Sequence, residues 1–328
     1  MKVTIQDIAN MVGVSKSTVS RYLNGGYVSE EKAKIISEAI EKTGFKSNFF
    51  AKRLKAKRTG LIGTIIPRID SYTSGKILKS LNNRLDEKGY QGIILTSELS
   101  IDKEISHIKK LYQQGVDGII VMVVSITKEH IELAKKLPIP IIFTGQKSNL
   151  VNYIKINDEK AGNLLGEYIK EMGHKNIVFL GVSEEDKAVG IERKKGFYDI
   201  FKNEDVNINF VQTDFSFNGA YESGKEVMKY NPTVVVGATD NIVLGFIRYA
   251  IENGYSIPDE ISVAGFGGYD VGLAIHPTIT TVYIDYETLG LKAADLIISA
   301  IEEDDDDKEK EIPLELIKRD SVKNLLRD

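Results

Sequence analysis

From position 61 onward, short apolar segments alternate with helix-compatible stretches of ten or more residues. Segments that are apolar throughout, such as 118–124, are typical of strands covered on both faces, and such strands belong to parallel sheets. The stretches between them supply the helical crossovers that parallel strands need. This alternation predicts an α/β body, and its length favours two lobes rather than a single sheet.

The elements of this body can be placed by number. We predict strands at 61–66, 92–96, 118–124, 139–144, 176–180, 233–237, 262–266 and 280–284. We predict helices at about 74–89, 101–114, 158–172, 188–202, 240–253 and 286–301.

Residues 1–46 follow a different pattern, which predicts three short helices. Thr4 and Ser15 stand where the first two helices need N-caps, and Gly13 separates them. Ser29 opens the third. Two helices joined by a short turn that contains Gly form the helix-turn-helix motif. We therefore predict a helix-turn-helix domain over 1–46, followed by a hinge helix and linker over 47–59.

The charge of the chain is divided unevenly. Residues 1–59 hold twelve Lys or Arg and five acidic residues, a net charge of +7, whereas the remainder holds 31 and 42, a net charge of −11. A basic head on an acidic body indicates that the head meets a polyanion. From charge alone, a solvated basic surface stays an alternative.

The second predicted helix carries side chains suited to DNA. Ser17 and Arg21 are four residues apart and share one face, and Lys16 stands at the N-terminal tip that enters a groove. Arg21 can donate two hydrogen bonds to guanine, and Lys16 and Ser17 can donate to base edges. Thr18 and Asn24 can donate to phosphates.

Other chemistries find little support in the sequence. There is no Cys, so disulfides and thiolate metal sites are excluded, and the four His lack ligand spacing. The segment 219–226 nearly matches a phosphate-binding loop but has Glu where Ser or Thr would hold magnesium. The segment 265–270 lacks the third Gly of a dinucleotide fingerprint. We expect no catalysis and no cofactor.

The location of the protein can also be predicted. The first ten residues are polar and do not resemble a signal peptide, and no apolar run approaches the ~20 residues that span a bilayer. We therefore expect a cytoplasmic protein with no membrane partner.

Residues 4–24 resemble the head of the lactose repressor (LacI/GalR) family of bacterial regulators. Further segments are similar to family signatures and occur in the same order, at 158–162, 173–175, 193–197, 238–241, 262–266 and 276–282. The resemblance spans essentially the whole chain and is closest to sucrose-type and trehalose-type operon repressors.

This resemblance implies a body like a periplasmic sugar-binding protein, which serves effector binding and dimerisation over 60–328. The N-lobe would comprise about 60–157 and 285–311, and the C-lobe about 158–284 and 312–328. It also implies a homodimer on duplex operator DNA, in which paired hinge helices enter the minor groove. Leu54 stands at the position of the family's wedging leucine, with Arg53 beside it. Ser47 departs from the family's usual Pro.

The resemblance further implies an effector cleft between the lobes. Arg193 matches an arginine that holds sugar hydroxyls, and Phe215 matches an aromatic residue that stacks on the sugar ring. Asp240 follows a strand and can accept hydrogen bonds from hydroxyls. Gly267 departs from the family, because many relatives have Asp there.

Two sugar types fit the remaining cleft residues. Arg68, in the segment that continues through Asp70 to Tyr72, resembles the phosphate-binding arginine of trehalose-type repressors, which also share Asp186. An ion pair between Arg68 and Asp70 is the alternative. Gln146 replaces a second phosphate-binding arginine and resembles sucrose-type repressors. We predict a disaccharide or its phosphate as effector, and rank the sucrose type first.

Together these features predict a sequence-specific transcriptional regulator that represses sugar-utilisation genes under the control of an effector bound between the lobes. The alternative is a sugar-binding protein without a DNA-linked function, against which the basic head argues.

Overall fold

The computed structural model describes residues 3–23, 26–45, 58–303 and 311–326. The chain divides into two compact units, Met1–Thr59 and Gly60–Asp328. The predicted DNA contacts Asn24, Arg53 and Leu54 lie outside the described residues.

The first unit contains the three predicted helices: α1 (Ile5–Val12), α2 (Lys16–Leu23) and α3 (Glu30–Thr43). Thr4 caps α1 as expected, since its hydroxyl accepts from the backbone N–H of Asp7 at 3.3 Å and its own N–H donates to that carboxylate at 2.8 Å. The helices enclose a small apolar core of Ile8, Ala9, Val19, Ile36, Ala39 and Phe45.

The second unit begins with a fully parallel sheet in the order β2-β1-β3-β4-β5. Its strands are β1 (Leu61–Ile66), β2 (Gln91–Thr96), β3 (Gly118–Met122), β4 (Ile141–Thr144) and β5 (Asn152–Ile154). The crossovers contain α4 (Tyr72–Glu87), α5 (Ile101–Gln113) and α6 (Lys128–Lys136). This sheet is the core of the N-lobe.

A second sheet follows in the order β11-β10-β9-β8-β6-β7, and only the β10–β11 pair is antiparallel. Its strands are β6 (Asn176–Gly181), β7 (Asn207–Gln212), β8 (Val234–Gly237), β9 (Ser262–Gly267), β10 (Thr280–Ile284) and β11 (Leu314–Ile317). The helices of this half are α7 (Asp158–Glu171), a π-helical segment (Lys187–Arg193), α8 (Lys194–Asp199), α9 (Phe217–Glu222), α10 (Gly224–Met228), α11 (Asp240–Glu252) and a 3₁₀ turn (Asp270–Leu273). This sheet is the core of the C-lobe.

The chain returns to the first sheet before it ends. After β10, α12 (Tyr286–Glu302) contributes Leu289, Ala293 and Ile297 to the apolar core that also contains Ile62 and Ile77 of the N-lobe. The chain then adds β11 to the second sheet. Within the described residues, no helix has the length and apolar character needed to cross a membrane.

All eight predicted strands form, but within the described residues three further strands and three α-helices were missed. β5, β7 and β11 contain exposed positions, so they lack the uniformly apolar pattern of the buried strands. α6, α9 and α10 are only five to nine residues long. The predicted helix at 188–202 is split, because its first part is π-helical.

Candidate DNA-binding and effector sites

The second helix of the head has one buried face and one exposed face. Ser15 caps it, because its hydroxyl accepts from the backbone N–H of Thr18 at 3.2 Å. Val19 is fully buried, whereas Lys16, Ser17 and Arg21 are exposed. The predicted base-reading side chains are therefore all exposed, with Ser17 and Arg21 on one face of the helix and Lys16 at its N-terminal tip.

Two hydroxyls of this helix also interact with its cap. The Ser15 hydroxyl oxygen lies 2.7 Å from that of Ser17 and 2.8 Å from that of Thr18, which is half-buried. These contacts fix the first turn of α2. Lys16 and Arg21 consequently provide the exposed cationic groups of this helix.

A cavity of about 320 Å³ lies between the two lobes of the body. Its wall is formed by residues that follow the carboxyl ends of β1, β3, β4, β6, β8 and β9. Parallel α/β sheets place ligand sites at this edge. Of the predicted effector contacts, the cavity brings together Arg68, Asp70, Tyr72, Asp186, Arg193 and Phe215.

Arg193 is fixed by a buried ion pair. Its Nε and Nη2 donate to one carboxylate oxygen of Asp158 at 3.0 and 2.6 Å, and its Nη1 donates to the carbonyl of Ala238 at 2.7 Å. Arg193 and Asp158 are 3% and 2% exposed, so neither charge is solvated by bulk water. These three bonds engage three of the five N–H donors of the guanidinium group. The sequence did not assign a role to Asp158.

Asp186 stands at the start of the π-helical segment. One carboxylate oxygen accepts from the backbone N–H of Val189 at 2.8 Å. Burial raises the pKa of Asp186, and the nearby Asp158 raises it further. A carboxyl group in this position can exchange hydrogen bonds with a ligand hydroxyl.

Asp240 does not line the cavity. Its two oxygens accept from the Thr281 hydroxyl at 2.7 Å and from the backbone N–H of Tyr269 at 2.8 Å. The side chain is 1% exposed, and burial raises its pKa to about 6. Asp240 thus holds the turn after β9 and does not face the cavity as the sequence suggested.

That turn brings a tyrosine into the cavity wall. Gly267 has a φ of +127°, and a Cβ there would lie 2.3 Å from the Tyr269 ring. Glycine is therefore required at this position, where the sequence departs from the family pattern, because the Tyr269 ring occupies the space that a larger side chain would need. Tyr269 was not among the predicted cavity residues, although the glycine pair at 267–268 signals an unusual turn.

Tyr72 joins the two lobes at this point. Its ring stacks on that of Tyr269 with centroids 4.1 Å apart, and its hydroxyl donates to Asp270 at 2.9 Å. Lys76, one turn further along α4, lies 3.2 Å from the same carboxylate. We call Tyr72, Lys76, Tyr269 and Asp270 the interlobe clasp.

Arg68 and Asp70 form an ion pair, which was the predicted alternative to phosphate binding by Arg68. Nε and Nη2 of Arg68 donate to the two carboxylate oxygens at 2.9 and 2.8 Å. The side chains are 24% and 69% exposed. An exposed pair of this kind is worth up to about 1 kcal/mol, so a ligand can displace Asp70.

Gln146 lies behind the cavity wall and not on it. Its side-chain amide donates to the carbonyl of Val124, and its oxygen accepts from the backbone N–H of Ile126 at 3.1 Å. Both ends of the amide are therefore occupied by the protein.

The cavity wall combines aromatic faces, hydroxyl and amide groups, and charges that are mostly paired. Aromatic rings cover the apolar faces of sugars, and fixed polar groups bind their hydroxyls. In the described part of the chain, no group of three or more His, Cys, Asp or Glu could hold a metal ion. A DNA-binding head and a two-lobed body with an interlobe cavity define a ligand-controlled DNA-binding regulator.

Comparisons with known proteins agree with this class. Residues 4–48 match the family of bacterial regulatory proteins of the lacI family, and residues 59–320 match the periplasmic binding proteins and sugar-binding domain of the LacI family. The chain belongs to the LacI family. It is a DNA-binding transcriptional repressor with a sugar-binding domain, and it is not an enzyme.

Individual relatives cover nearly the full chain. The sucrose operon repressor of Staphylococcus xylosus is 35% identical over 300 residues, which cover 91% of this chain and 93% of that protein. Catabolite control protein A of Priestia megaterium is 28% identical over 305 residues, with 90% and 92% covered.

A solved structure shows the same fold. The structure of the Lac repressor dimer bound to operator and the anti-inducer ONPF superposes with a TM-score of 0.88 at 22% identity, covering 98% of this chain and all of that one. This likeness confirms the α/β fold class, and the family models and the 35% identical relative confirm the predicted family.

Proposed function

We propose that this repressor controls a sugar-utilisation operon and that its effector is a disaccharide bound between the lobes. The observation that carries the proposal is the interlobe cavity, whose wall combines paired charges with the aromatic rings of Phe215, Tyr72 and Tyr269. The 35% identity to a protein named sucrose operon repressor supports sucrose as the first candidate.

The head supplies the DNA contacts in this proposal. Lys16, Ser17 and Arg21 read base edges from α2, while Thr18 contributes at the phosphates. Contacts by Asn24, Arg53 and Leu54 rest on the family resemblance. A homodimer would place two heads on a pseudo-palindromic operator in the cytoplasm.

In the cavity, Arg193 and Asp186 bind sugar hydroxyls, and Phe215 and Tyr72 cover ring faces. Asp240 acts by holding the Tyr269 turn. The charges favour an uncharged sugar, since both guanidinium groups on the wall are already paired, Arg68 with Asp70 and Arg193 with Asp158. A phosphorylated disaccharide would have to displace Asp70 from Arg68.

Effector binding acts through lobe closure in this account. A ligand that contacts both lobes favours the arrangement in which both walls reach it. The two lobe arrangements can position the DNA-binding heads differently. In that case, the ligand can change operator affinity at most by the ratio of its own affinities for the two arrangements.

A thermal-shift titration with sucrose, trehalose and their 6-phosphates tests the effector. A ligand that binds only the folded state raises the melting temperature. We expect the largest rise with free sucrose. A rise with a 6-phosphate alone would assign Arg68 to the phosphate, and no rise with any of the four sugars would refute a disaccharide effector of these types.

A further inference from the structure

The segment that follows β3, residues 123–127, forms part of the cavity wall through Val123 and Val124. It has no helical or strand structure, so side chains from other elements supply most partners of its backbone. We propose that Glu104, His130 and Gln146 form a brace that fixes this wall segment and sets effector affinity without contacting the effector. The effector part of this inference rests on the proposed function.

Two members of the brace form hydrogen bonds with three backbone groups of the segment. Glu104 on α5 is completely buried and accepts from the N–H of Val124 at 3.3 Å. Gln146, just after β4, donates to the carbonyl of Val124 and accepts from the N–H of Ile126 at 3.1 Å. Val124 is therefore held from both sides by side chains that lie outside the cavity.

His130 on α6 completes the brace. Its Nδ1 accepts from the backbone N–H of Thr127 at 3.2 Å and lies 2.9 Å from the Thr127 hydroxyl oxygen, so Nε2 is the ring nitrogen that faces away from Thr127. That nitrogen faces a carboxylate oxygen of Glu104 at 3.2 Å. Within the described residues, neither of these two atoms makes a hydrogen bond, so their contact is a close approach of two buried polar atoms.

Burial leaves Glu104 and His130 without access to solvent. His130 and Glu104 are both 0% exposed, and the His130 ring packs edge-on against Phe143 of β4, 5.7 Å between centroids. A buried carboxylate is costly unless its oxygens are satisfied. A change to either side chain therefore removes the polar atom that the other faces at 3.2 Å, and the wall segment that both hold must adjust.

This arrangement also gives Gln146 a different role from the one its sequence position suggested. Both ends of its amide are occupied by Val124 and Ile126. Gln146 is thus a positioning residue that acts on the effector through the wall.

Two substitutions of His130 separate the parts of the brace. In His130→Asn, the side-chain oxygen replaces the Nδ1 acceptor for Thr127, but the amide is too short to reach Glu104. In His130→Gln, the amide nitrogen stands near the Nε2 position and still faces Glu104. We expect sucrose affinity, measured by calorimetry, to fall roughly tenfold in His130→Asn and to stay close to wild type in His130→Gln.

A matched control uses the same two helices. Lys109 on α5 and Glu129 on α6 form an exposed ion pair at 3.0 Å outside the brace. Lys109→Gln should leave sucrose affinity unchanged. Equal losses of affinity in the two His130 variants, or losses that follow the melting temperature across all variants, would overturn the effector role of the brace.

Hydrogen exchange tests the brace without any effector. Backbone amides of 124–127 should exchange faster in His130→Asn than in wild type, while amides of β9 (Ser262–Gly267) should be unchanged. If His130→Asn does not fold, Glu104→Gln replaces it. The amide nitrogen of the substituted side chain would lie beside either the N–H of Val124 or Nε2 of His130, where the wild type has a carboxylate oxygen. Unchanged exchange at 124–127 would refute the brace, whereas faster exchange without sucrose binding by wild type would refute only sucrose as the effector.

Discussion

Asp240 shows how a residue near the cavity can act on the fold rather than on the ligand. Its carboxyl group accepts two hydrogen bonds, from Thr281 and from the Tyr269 backbone, yet burial still raises its pKa to about 6 from an ordinary value of 3.8. The folded state therefore binds this proton more tightly than the unfolded chain does. The stabilisation is complete below about pH 4 and is lost as pH rises through about 6.

Asp240→Asn tests this assignment. Between pH 4 and pH 7, wild type should lose up to about 3 kcal/mol of unfolding free energy relative to the variant. Urea unfolding of both proteins at several pH values measures the difference, in which the titration of other groups cancels. Parallel pH profiles would show that Asp240 keeps an ordinary pKa in the folded protein.

At the scale of single residues, the sequence predicted the side chains on the cavity wall better than their partners. Arg193 and Phe215 were placed on the wall by resemblance, and they lie there. Asp158, which binds Arg193, was not assigned, because no local pattern links positions 35 residues apart. Tyr269 was missed because its place depends on the positive φ of Gly267 and Gly268.

At the scale of elements, burial decided what could be predicted. β1 and β10 have the predicted bounds, because all or nearly all of their positions are buried. β7 lies at a sheet edge and its ends are exposed. Because it contains polar residues, it lacks the continuous apolar run from which the other strands were predicted. The π-helical segment Lys187–Arg193 has an apolar pattern that does not distinguish its wider turns from an α-helix.

The recognition helix α2 gives the prediction that belongs to this scale. Arg21 is exposed on the face opposite the buried Val19. Arg21→Ala should weaken operator binding by about 1–3 kcal/mol and relax specificity at one base pair of each half-site. Fluorescence anisotropy with the operator and with single-base variants measures both effects.

Lys34 on α3 provides the control, because it is an exposed cation of the same head outside α2. Lys34→Ala should leave the order of preference among the operator variants unchanged. If Arg21→Ala also left it unchanged, α2 would not be the helix that reads bases.

At the scale of the whole molecule, the interlobe clasp links the cavity to lobe movement. Tyr72 covers Tyr269 and hydrogen-bonds Asp270, so N-lobe and C-lobe residues meet at the cavity wall. Tyr72→Phe keeps the stacked ring and should bind sucrose within about twofold of wild type, because an exposed hydrogen bond contributes little. Tyr72→Ala should weaken binding roughly tenfold, since ring contacts are lost.

Isothermal titration with both variants measures this difference. Equal affinities in wild type and Tyr72→Ala would exclude the clasp ring from effector binding. Equal losses in Tyr72→Phe and Tyr72→Ala would assign the effect to the Asp270 hydrogen bond instead of the ring.

The central claim is that a sugar in the body controls DNA binding by the head. The direct measurement is the affinity of the full chain for its operator, determined by anisotropy with and without saturating sucrose at several salt concentrations. The account predicts salt-sensitive, sequence-specific binding and a change of at least about fivefold in operator affinity when the sugar is present. Sucrose binding with no change in operator affinity would contradict it.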